Sequence, residues 1–501
     1  MRSRVDPSRT PVIVATGQVV ERDTIVNAAD LAARAARIAL DAAGSVANRV
    51  QRVTMLSTLF SPASPTVASD VAALLGLRDA HCETTSVGGN TPPWLVTRAA
   101  EDIARGELEA TLIVGAEAAR SQRASGTGEG GVRFRPNQSD GEGVESDPVV
   151  GGSEKGYVSR AEVGAGLTYP TVVYPLLESV IAARAGRSFA EQRAFVAQFM
   201  ARFTDVAATH PCAWFPTRAT AEELATPSAS NRLIAEPYTK RMNAFPFVDQ
   251  AAALVMCSLA AARDAGVDDD VIFVWSGADS YEVRIPTARP ELGRAVGLHA
   301  AVARTFDAAG VGVDDVRAFD FYCCFPSAVE MAADAVGVAL DDPRGLTVTG
   351  GLPYFGGPGN NYMTHGIATM TEKLRDVGGL GVCSSPGGFM TKHGVTLLGR
   401  EPPPGGFRRG DTDADQVVID AGAMPVAVDE SLDSTAEVVA NTVCYAADGS
   451  VEGAPMIGVL ADGRRVAAEA DPALLPDLTG RLLVGETVSV HGTPPRWTFT
   501  S

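Results

Sequence analysis

The chain has 501 residues, of which 46% are hydrophobic, and its 42 basic and 60 acidic side chains give a formal net charge of -18. This length and composition suit two to four domains with large cores. The negative charge argues against a nucleic acid or an anionic membrane surface as the main partner.

Two features of the sequence concern location. The longest nearly apolar run, residues 251–262, is shorter than the ~20 residues that a membrane helix needs. Residues 1–7 have no apolar core of the kind that a signal peptide requires. We therefore predict a cytoplasmic protein without membrane insertion. The seven cysteines lack the spacing of a zinc site, so we expect reduced thiols and no metal.

The N-terminal part begins with a predicted strand at residues 11–15 and an alanine-rich helix at residues 29–43. The turn Gly88-Gly89-Asn90 then precedes a helix with one apolar stripe, and residues 110–114 predict a buried strand. Free amides and the helix dipole make such a helix start suitable for an anion or a polarised carbonyl. Glycine alone would also permit a tight turn without any function.

The amino-acid composition and the hydrophobic periodicity change twice in the middle of the chain. Residues 121–165 are rich in Gly, Ser, Glu and Asp, which predicts a long surface loop or a partly disordered insertion. Residues 172–206 regain helical periodicity, residues 249–256 have the pattern of a buried segment, and residues 271–275 predict a strand.

The C-terminal part repeats the same order of elements. A predicted helix at residues 298–309 precedes a strand at residues 316–325, and a second glycine turn, Gly-Gly-Pro-Gly-Asn, occupies residues 356–360. A helix and an apolar strand at residues 380–383 follow. Because turn, helix and strand recur, we predict two copies of one α/β unit, and the pairing favours a functional role for the turns.

The last part of the chain has a different pattern of hydrophobic residues. Past residue 405, short Val-rich runs, the first at residues 436–446, alternate with turns. Asp448-Gly449 and Asp462-Gly463 are hairpin signals. We predict a small appended β domain, a barrel.

Several motifs, in order, resemble the thiolase superfamily from about residue 10 to about residue 402. Gly88-Gly89 stands where thiolases carry Cys-Gly-Ser-Gly, and residues 249–254 resemble their Asp-Gly-Ala-Ala-Ala run. Tyr322-Cys323-Cys324-Phe325 resembles the His-Asp-Cys-Phe loop of sterol-carrier-type thiolases, and Gly356-Gly357-Pro358 resembles Gly-His-Pro.

The resemblance implies a duplicated, five-layered αβαβα thiolase fold that handles acyl-CoA thioesters in lipid metabolism. It implies an N-terminal half over residues 1–270 with an insertion at 118–245, and a C-terminal half over 271–402. The extra β domain, residues 409–501, is similar to the OB-like domain of thiolase-like proteins of type 1. Thiolases commonly pair through their N-terminal strands, so either a monomer or a homodimer is expected.

The chain departs from the thiolase pattern at the catalytic positions. The nucleophilic cysteine aligns with Gly89, and the histidine of Gly-His-Pro aligns with Gly357. The second cysteine aligns with Pro386 or, with one gap moved, with Ser384. Ordinary thiolase chemistry needs all three groups, so we do not expect it here.

Four side chains remain as candidate catalytic groups: Cys324, His365, His393 and Tyr322. A thiol becomes nucleophilic when a base or a helix start lowers its pKa, and histidine is the common base near neutral pH. Each histidine could equally be an ordinary structural residue. The candidate substrate-binding or CoA-binding residues, which present turn amides or polar tips, are Gly89, Asn90, Gly357, Asn360 and Gly388.

Three functions stay open at this point. The first is an atypical acyltransferase in which Cys324 carries the acyl group. The second is a retro-aldolase on β-hydroxyacyl-CoA, in which Tyr322 or Tyr362 moves the proton. The third is a protein that binds CoA or acyl-CoA without turnover. All three take coenzyme A or acyl-CoA as ligand, and none implies a tightly bound cofactor.

Overall fold

The computed structural model describes residues 6–126, 146–151 and 156–500. The described strands are β1 (Pro11–Val20), β2 (Val50–Met55), β3 (His81–Thr85), β4 (Ala110–Ala118), β5 (Val149–Val150), β6 (Leu233–Ala235), β7 (Tyr238–Thr239), β8 (Asp249–Ser258), β9 (Ile272–Tyr281), β10 (Val316–Phe321), β11 (Leu380–Gly387), β12 (Lys392–Gly399), β13 (Arg408–Arg409), β14 (Leu432–Asn441), β15 (Cys444–Tyr445), β16 (Val451–Gly453), β17 (Pro455–Leu460), β18 (Arg465–Ala470), β19 (Thr487–Thr493) and β20 (Arg496–Thr500).

The described helices are α1 (Ala28–Ala42), α2 (Val67–Leu75), α3 (Thr91–Arg105), α4 (Ala119–Ser125), α5 (Arg160–Gly164), α6 (Pro170–Arg184), α7 (Phe189–Ala207), α8 (Ala221–Ala225), α9 (Leu259–Asp264), α10 (Val296–Ala309), α11 (Pro326–Val336), α12 (Tyr362–Val377) and α13 (Asp413–Ala421). None of the helices in these ranges is both long enough and apolar enough to cross a membrane.

One continuous sheet of eleven strands carries both halves of the duplicated unit. Its main path runs β10-β11-β12-β9-β1-β8-β4-β2-β3-β5, and β13 adds to β9. The two halves meet where β1 pairs with β9 over only two residue pairs, Val12 with Phe273 and Ile13 with Ile272. Strands β4 and β8 are buried along their whole length, which is the pattern of strands covered on both faces.

Helices on both sides of the sheet, and between its halves, complete five layers. Helices α1 and α2 pack on the N-terminal strands, and α10 and α11 pack on the C-terminal strands. Helices α3 and α12 contact each other and strands of both halves, so they form the middle layer. This αβαβα order confirms the predicted fold class, and it brings the starts of α3 and α12 to one place in the molecule.

The C-terminal barrel is also confirmed. Strands β14, β17, β18, β20 and β19 close into a barrel whose core includes Trp497 and Phe499. Asp462-Gly463 connects β17 and β18, and Gly463 adopts a positive φ of 86°.

Some boundaries differ from the prediction. The single run expected at residues 436–446 is split, because β14 ends at Asn441 and β15 joins a separate four-stranded sheet with β16, β6 and β7. Residues 172–206 form two helices, α6 and α7, instead of one periodic segment. Of the loop expected at 121–165, residues 127–145 and 152–155 lie outside the described residues.

Candidate functional site

The two glycine turns predicted from the sequence touch each other in the fold. The Gly88 amide donates a hydrogen bond to Asn360 Oδ1 at 2.9 Å, and Asn360 Nδ2 donates to the Ser57 carbonyl at 2.7 Å. Because α3 and α12 lie side by side in the middle layer, their starts converge. The structure thus brings the candidate residues of the first turn and Asn360 into one cluster.

The space beside Gly89, the residue that aligns with the thiolase nucleophile in the motif resemblance, is occupied by a phenol. A β-carbon placed on Gly89 would lie 2.9 Å from the Tyr322 hydroxyl oxygen and 2.6 Å from the Pro386 carbonyl oxygen. Tyr322 follows directly after β10, and its amide donates to the Ser384 carbonyl at 3.0 Å. Its ring packs edge-on against Tyr362, with ring centroids 5.0 Å apart. The backbone bond and the ring contact hold the Tyr322 hydroxyl where the side chain of residue 89 would begin.

Cys324 lies beside Tyr322 but is poorly suited to act as a nucleophile. Burial raises the pKa of the Cys324 thiol to about 12, although a hydrogen bond with the Tyr174 hydroxyl acts in the opposite direction. The Tyr174 hydroxyl itself donates to the Gly388 carbonyl at 3.0 Å. Among the described residues, no histidine forms a hydrogen bond or ion pair with Cys324, so the thiol has no base to activate it.

His365 lies on α12, away from Cys324. Its Nδ1 is 2.8 Å from Gln18 Oε1, and its ring packs edge-on against Phe355 at 5.1 Å. Burial, with a smaller contribution from the charge of His210, lowers the pKa of His365 to about 3. The imidazole is therefore neutral at pH 7, and the structure does not bring it to the thiol.

His393 lies on the opposite face of the sheet from the turns. Its Nε2 is 3.1 Å from Glu282 Oε1, and the same carboxylate oxygen accepts a hydrogen bond from the amide of Gly297 on α10 at 2.6 Å. Side chains alternate along a strand, so the neighbouring Lys392 points the other way, toward the first glycine turn. The structure therefore does not bring His393 together with Cys324 or Tyr322.

Gly357, in the second turn, contacts the segment that precedes β8. Its amide donates to the Phe245 carbonyl at 2.8 Å, and a β-carbon on Gly357 would lie 3.1 Å from that same oxygen. The adjacent Ala244 amide donates to the Cys324 carbonyl at 3.0 Å. The segment at 244–245 thus links Gly357 to the Cys324 loop, while Asn360 reaches the first turn.

Asn90, the last residue of the first turn, is buried and has an unpaired hydrogen-bond acceptor. Its Oδ1 has no hydrogen-bond partner within the described ranges. A β-carbon on Gly88 or on Gly387 would collide with this oxygen, so both neighbours must be glycine for the amide to sit here.

Lys392 is a polar residue of this site that the sequence did not indicate. The residue is only 2% exposed, and Nζ donates to the Val87 carbonyl at 2.7 Å. Burial, together with the like charge of Arg284, lowers the pKa of the ammonium to about 8. The one feature of the sequence that could have indicated Lys392 is its place at the start of β12, shortly after Gly387-Gly388. A lysine is rarely buried, so this feature alone did not predict a place in the site.

The site therefore joins a phenol, an ammonium and turn amides around the Gly88-Gly89-Asn90 turn. These groups can donate hydrogen bonds to a carbonyl or carboxylate oxygen. Within the part of the chain that the structure describes, no group of three or more His, Cys, Asp or Glu side chains could hold a metal ion. All seven cysteines, including the adjacent Cys323 and Cys324, are free thiols.

Solved thiolases share this architecture. The dimeric peroxisomal thiolase of Saccharomyces cerevisiae matches with a TM-score of 0.56 at 16% identity, over 79% of this chain and 99% of its own. The Acat5 thiolase of Ascaris suum, solved in complex with coenzyme A, matches with a TM-score of 0.57 at 15% identity, over 78% of this chain and 100% of its own. The fold is the thiolase fold.

A third solved structure is more similar and extends over the C-terminal barrel. The monomeric SCP2-thiolase like protein type 1 from Mycobacterium smegmatis is 32% identical to this chain and matches with a TM-score of 0.84. The match covers 99% of this chain and 100% of the other. The chain belongs to the SCP2-thiolase-like proteins of type 1. No family model and no curated protein matches it.

Proposed function

We propose that this protein binds a CoA thioester at the Gly88-Gly89-Asn90 turn without transferring the acyl group to a cysteine. The turn amides and the helix start of α3 suit the thioester oxygen. The thiolase from Ascaris suum was solved with coenzyme A, which supports CoA as the ligand class for this fold.

The position of Tyr322 carries the proposal. Its hydroxyl oxygen lies 2.9 Å from the point where a side chain of residue 89 would begin, so a hydrogen-bond donor replaces the nucleophile. Burial raises the pKa of Tyr322 well above 10, and the phenol stays protonated at neutral pH. A protonated phenol can hold a carbonyl oxygen but cannot take up the acyl group as a thiolate would.

Calorimetric titration with acetyl-CoA tests the binding, and intact-protein mass spectrometry after the titration tests for a covalent acyl adduct. We expect saturable binding, no adduct, and about fivefold weaker binding by the Tyr322→Phe variant, because one neutral hydrogen bond is lost. The Cys324→Ser variant is the matched control and should bind like the wild type. An acetyl adduct on Cys324 would show that the chain is an acyltransferase after all.

A second candidate, a retro-aldolase on β-hydroxyacyl-CoA, is favoured by one observation. The Tyr322 hydroxyl has no hydrogen-bond partner within the described ranges, so it is available to a substrate hydroxyl. Tyr362 is less suitable, because its hydroxyl is already bonded to Thr349 Oγ1 at 2.6 Å. Incubation with β-hydroxyacyl-CoA and detection of the released aldehyde or ketone distinguishes this reaction from binding alone.

We also propose a monomeric, cytoplasmic protein of three units, residues 1–270, 271–402 and 409–501, of which the last is OB-like. The edge of β3 is partly covered by the chain itself, because Thr84 and Thr85 pair with Val149 and Val150 of β5. A covered edge offers fewer free backbone groups to a second copy. Light scattering after gel filtration tests this, and a stable dimer would contradict it.

A further inference from the structure

The ammonium of Lys392 is buried but has donors left over. A lysine ammonium carries three N–H donors, and the Val87 carbonyl is its only hydrogen-bond acceptor within the described ranges. The Tyr157 ring lies 5.0 Å from Nζ and offers a cation–π contact instead of an acceptor. A buried charge with unused hydrogen-bond donors is unfavourable unless another group accepts those hydrogen bonds and neutralises the charge.

None of the described side chains next to Lys392 is an anion that could neutralise its charge. Within the part of the chain that the structure describes, its charged and titratable neighbours are Tyr157, Tyr281 across the β9 pairing, and Arg284. Arg284 carries the same charge as Lys392. Burial raises the pKa of Tyr157 to about 12 and also raises that of Tyr281, so both stay neutral at pH 7.

Lys392 also lies directly at the turn proposed to hold the thioester. Its Nζ would be 3.4 Å from a β-carbon on Gly88, one residue before the Gly89 position that Tyr322 fills. The space that a β-carbon on Gly88 or Gly387 would need is taken by Asn90 Oδ1, a neutral acceptor that makes no hydrogen bond to Nζ. A short acyl group whose carbonyl is held by the turn amides would lie close to this positive charge, which no described anion neutralises.

We propose that Lys392 is a specificity-determining residue that selects acyl groups bearing a carboxylate one methylene away from the thioester carbonyl, as in a malonyl group. This inference rests on the proposed binding of a CoA thioester at the first turn. A carboxylate accepts charge-assisted hydrogen bonds from the unfilled ammonium donors and neutralises the charge, whereas the ketone of a neutral acyl group of the same shape accepts only a weaker hydrogen bond and leaves the charge unneutralised.

The test compares two ligands of similar shape, malonyl-CoA and acetoacetyl-CoA, by calorimetric titration of the full chain. We expect malonyl-CoA to bind about 10- to 100-fold more tightly at pH 7, which is the range for a hydrogen bond to a charged group. The Lys392→Met variant should lose this preference, and Lys392→Arg should keep part of it. The matched control, Lys373→Met on the exposed face of α12, should keep all of it.

The pH dependence gives a second readout that needs no variant. The pKa of Lys392 lies at about 8, so the preference for malonyl-CoA should be present at pH 7 and fall as the pH rises above 8. Equal affinities for the two ligands, together with clear binding of acetyl-CoA, would refute the role of Lys392 and leave the proposed function standing. Failure of all three thioesters to bind would refute both.

Discussion

A single methyl group added at Gly89 tests whether the Tyr322 hydroxyl leaves any room for a side chain at residue 89. In the Gly89→Ala variant, the new β-carbon would lie 2.6 Å from the Pro386 carbonyl oxygen and 2.9 Å from the Tyr322 hydroxyl oxygen. Real β-carbons essentially never approach other atoms closer than 3.0 Å. One of the two neighbours, or the turn itself, must therefore move.

Neither neighbour can move easily. The Pro386 carbonyl belongs to β11, which pairs with β12 through His393, and the Tyr322 ring is packed against Tyr362. Overpacking of this kind costs about 1–3 kcal/mol. We expect a lower thermal midpoint and weaker binding of acetyl-CoA, because the displaced turn carries the amides proposed to hold the thioester.

Two comparisons make the measurement specific. Gly312→Ala is the control, because nothing lies within 4 Å of a β-carbon there. The double variant Gly89→Ala/Tyr322→Phe removes the hydroxyl contact and keeps the Pro386 contact, so it should recover only part of the lost stability. A Gly89→Ala protein that melts and binds like the wild type would refute the reasoning, since the position would then have room for a side chain.

Three further outcomes follow from the buried groups. His393→Ala should destabilise the protein by about 1.5–3 kcal/mol in thermal melts, because buried Glu282 loses the hydrogen bond from His393 and keeps that of the Gly297 amide. Acetyl-CoA affinity should not change, and weakened binding would place His393 at the site. Cys324, with a pKa of about 12, should be alkylated by iodoacetamide at pH 8 far more slowly than a free thiol, as peptide mass spectrometry would show; rapid labelling would contradict its burial. Burial raises the pKa of Glu117 to about 7, above its unfolded value of 4.5, so the fold favours the protonated carboxyl. The contribution of this carboxyl to the free energy of unfolding is therefore fully present below pH 4.5 and is lost as the pH rises through 7. The stability of the wild type relative to Glu117→Gln should therefore fall by up to about 3 kcal/mol over that interval; a flat difference would show that Glu117 stays charged throughout.

The fold could be predicted from sequence because its signals are local. The turn Gly88-Gly89-Asn90, the stripe of α3 and the apolar run of β4 follow one another directly, and the same order recurs before β11. Barrel strands were harder to delimit. The run at residues 436–446 is continuous in hydrophobicity, and only the tertiary fold moves Cys444 from the barrel into a second sheet.

The site could be predicted only in part, because sequence patterns do not say which face of a strand turns inward. Period-two alternation places Lys392 and His393 on opposite faces of β12, but both faces of this strand are buried. The chemistry of histidine favoured His393, whereas the packing of α3 against β12 puts Lys392 at the turn. Tyr322 could be placed near the turn because its motif resembles a thiolase loop, while its role at the site stays a prediction.

The two glycines that align with thiolase catalytic residues differ in what lies beside them. At Gly89, a tyrosine hydroxyl and a carbonyl oxygen fill the vacated space, so a side chain at residue 89 and the phenol at residue 322 exclude each other. At Gly357, the nearest atom to an added β-carbon is the Phe245 carbonyl oxygen at 3.1 Å, and no side-chain donor lies among its nearest described neighbours. A side chain at residue 89 would therefore have to displace Tyr322, whereas one at residue 357 would meet mainly backbone. The phenol beside Gly89 and the buried ammonium beside Gly88 can both donate hydrogen bonds to an oxygen, and neither is a nucleophile at neutral pH, which is why we propose binding of a thioester and not attack on its carbonyl carbon.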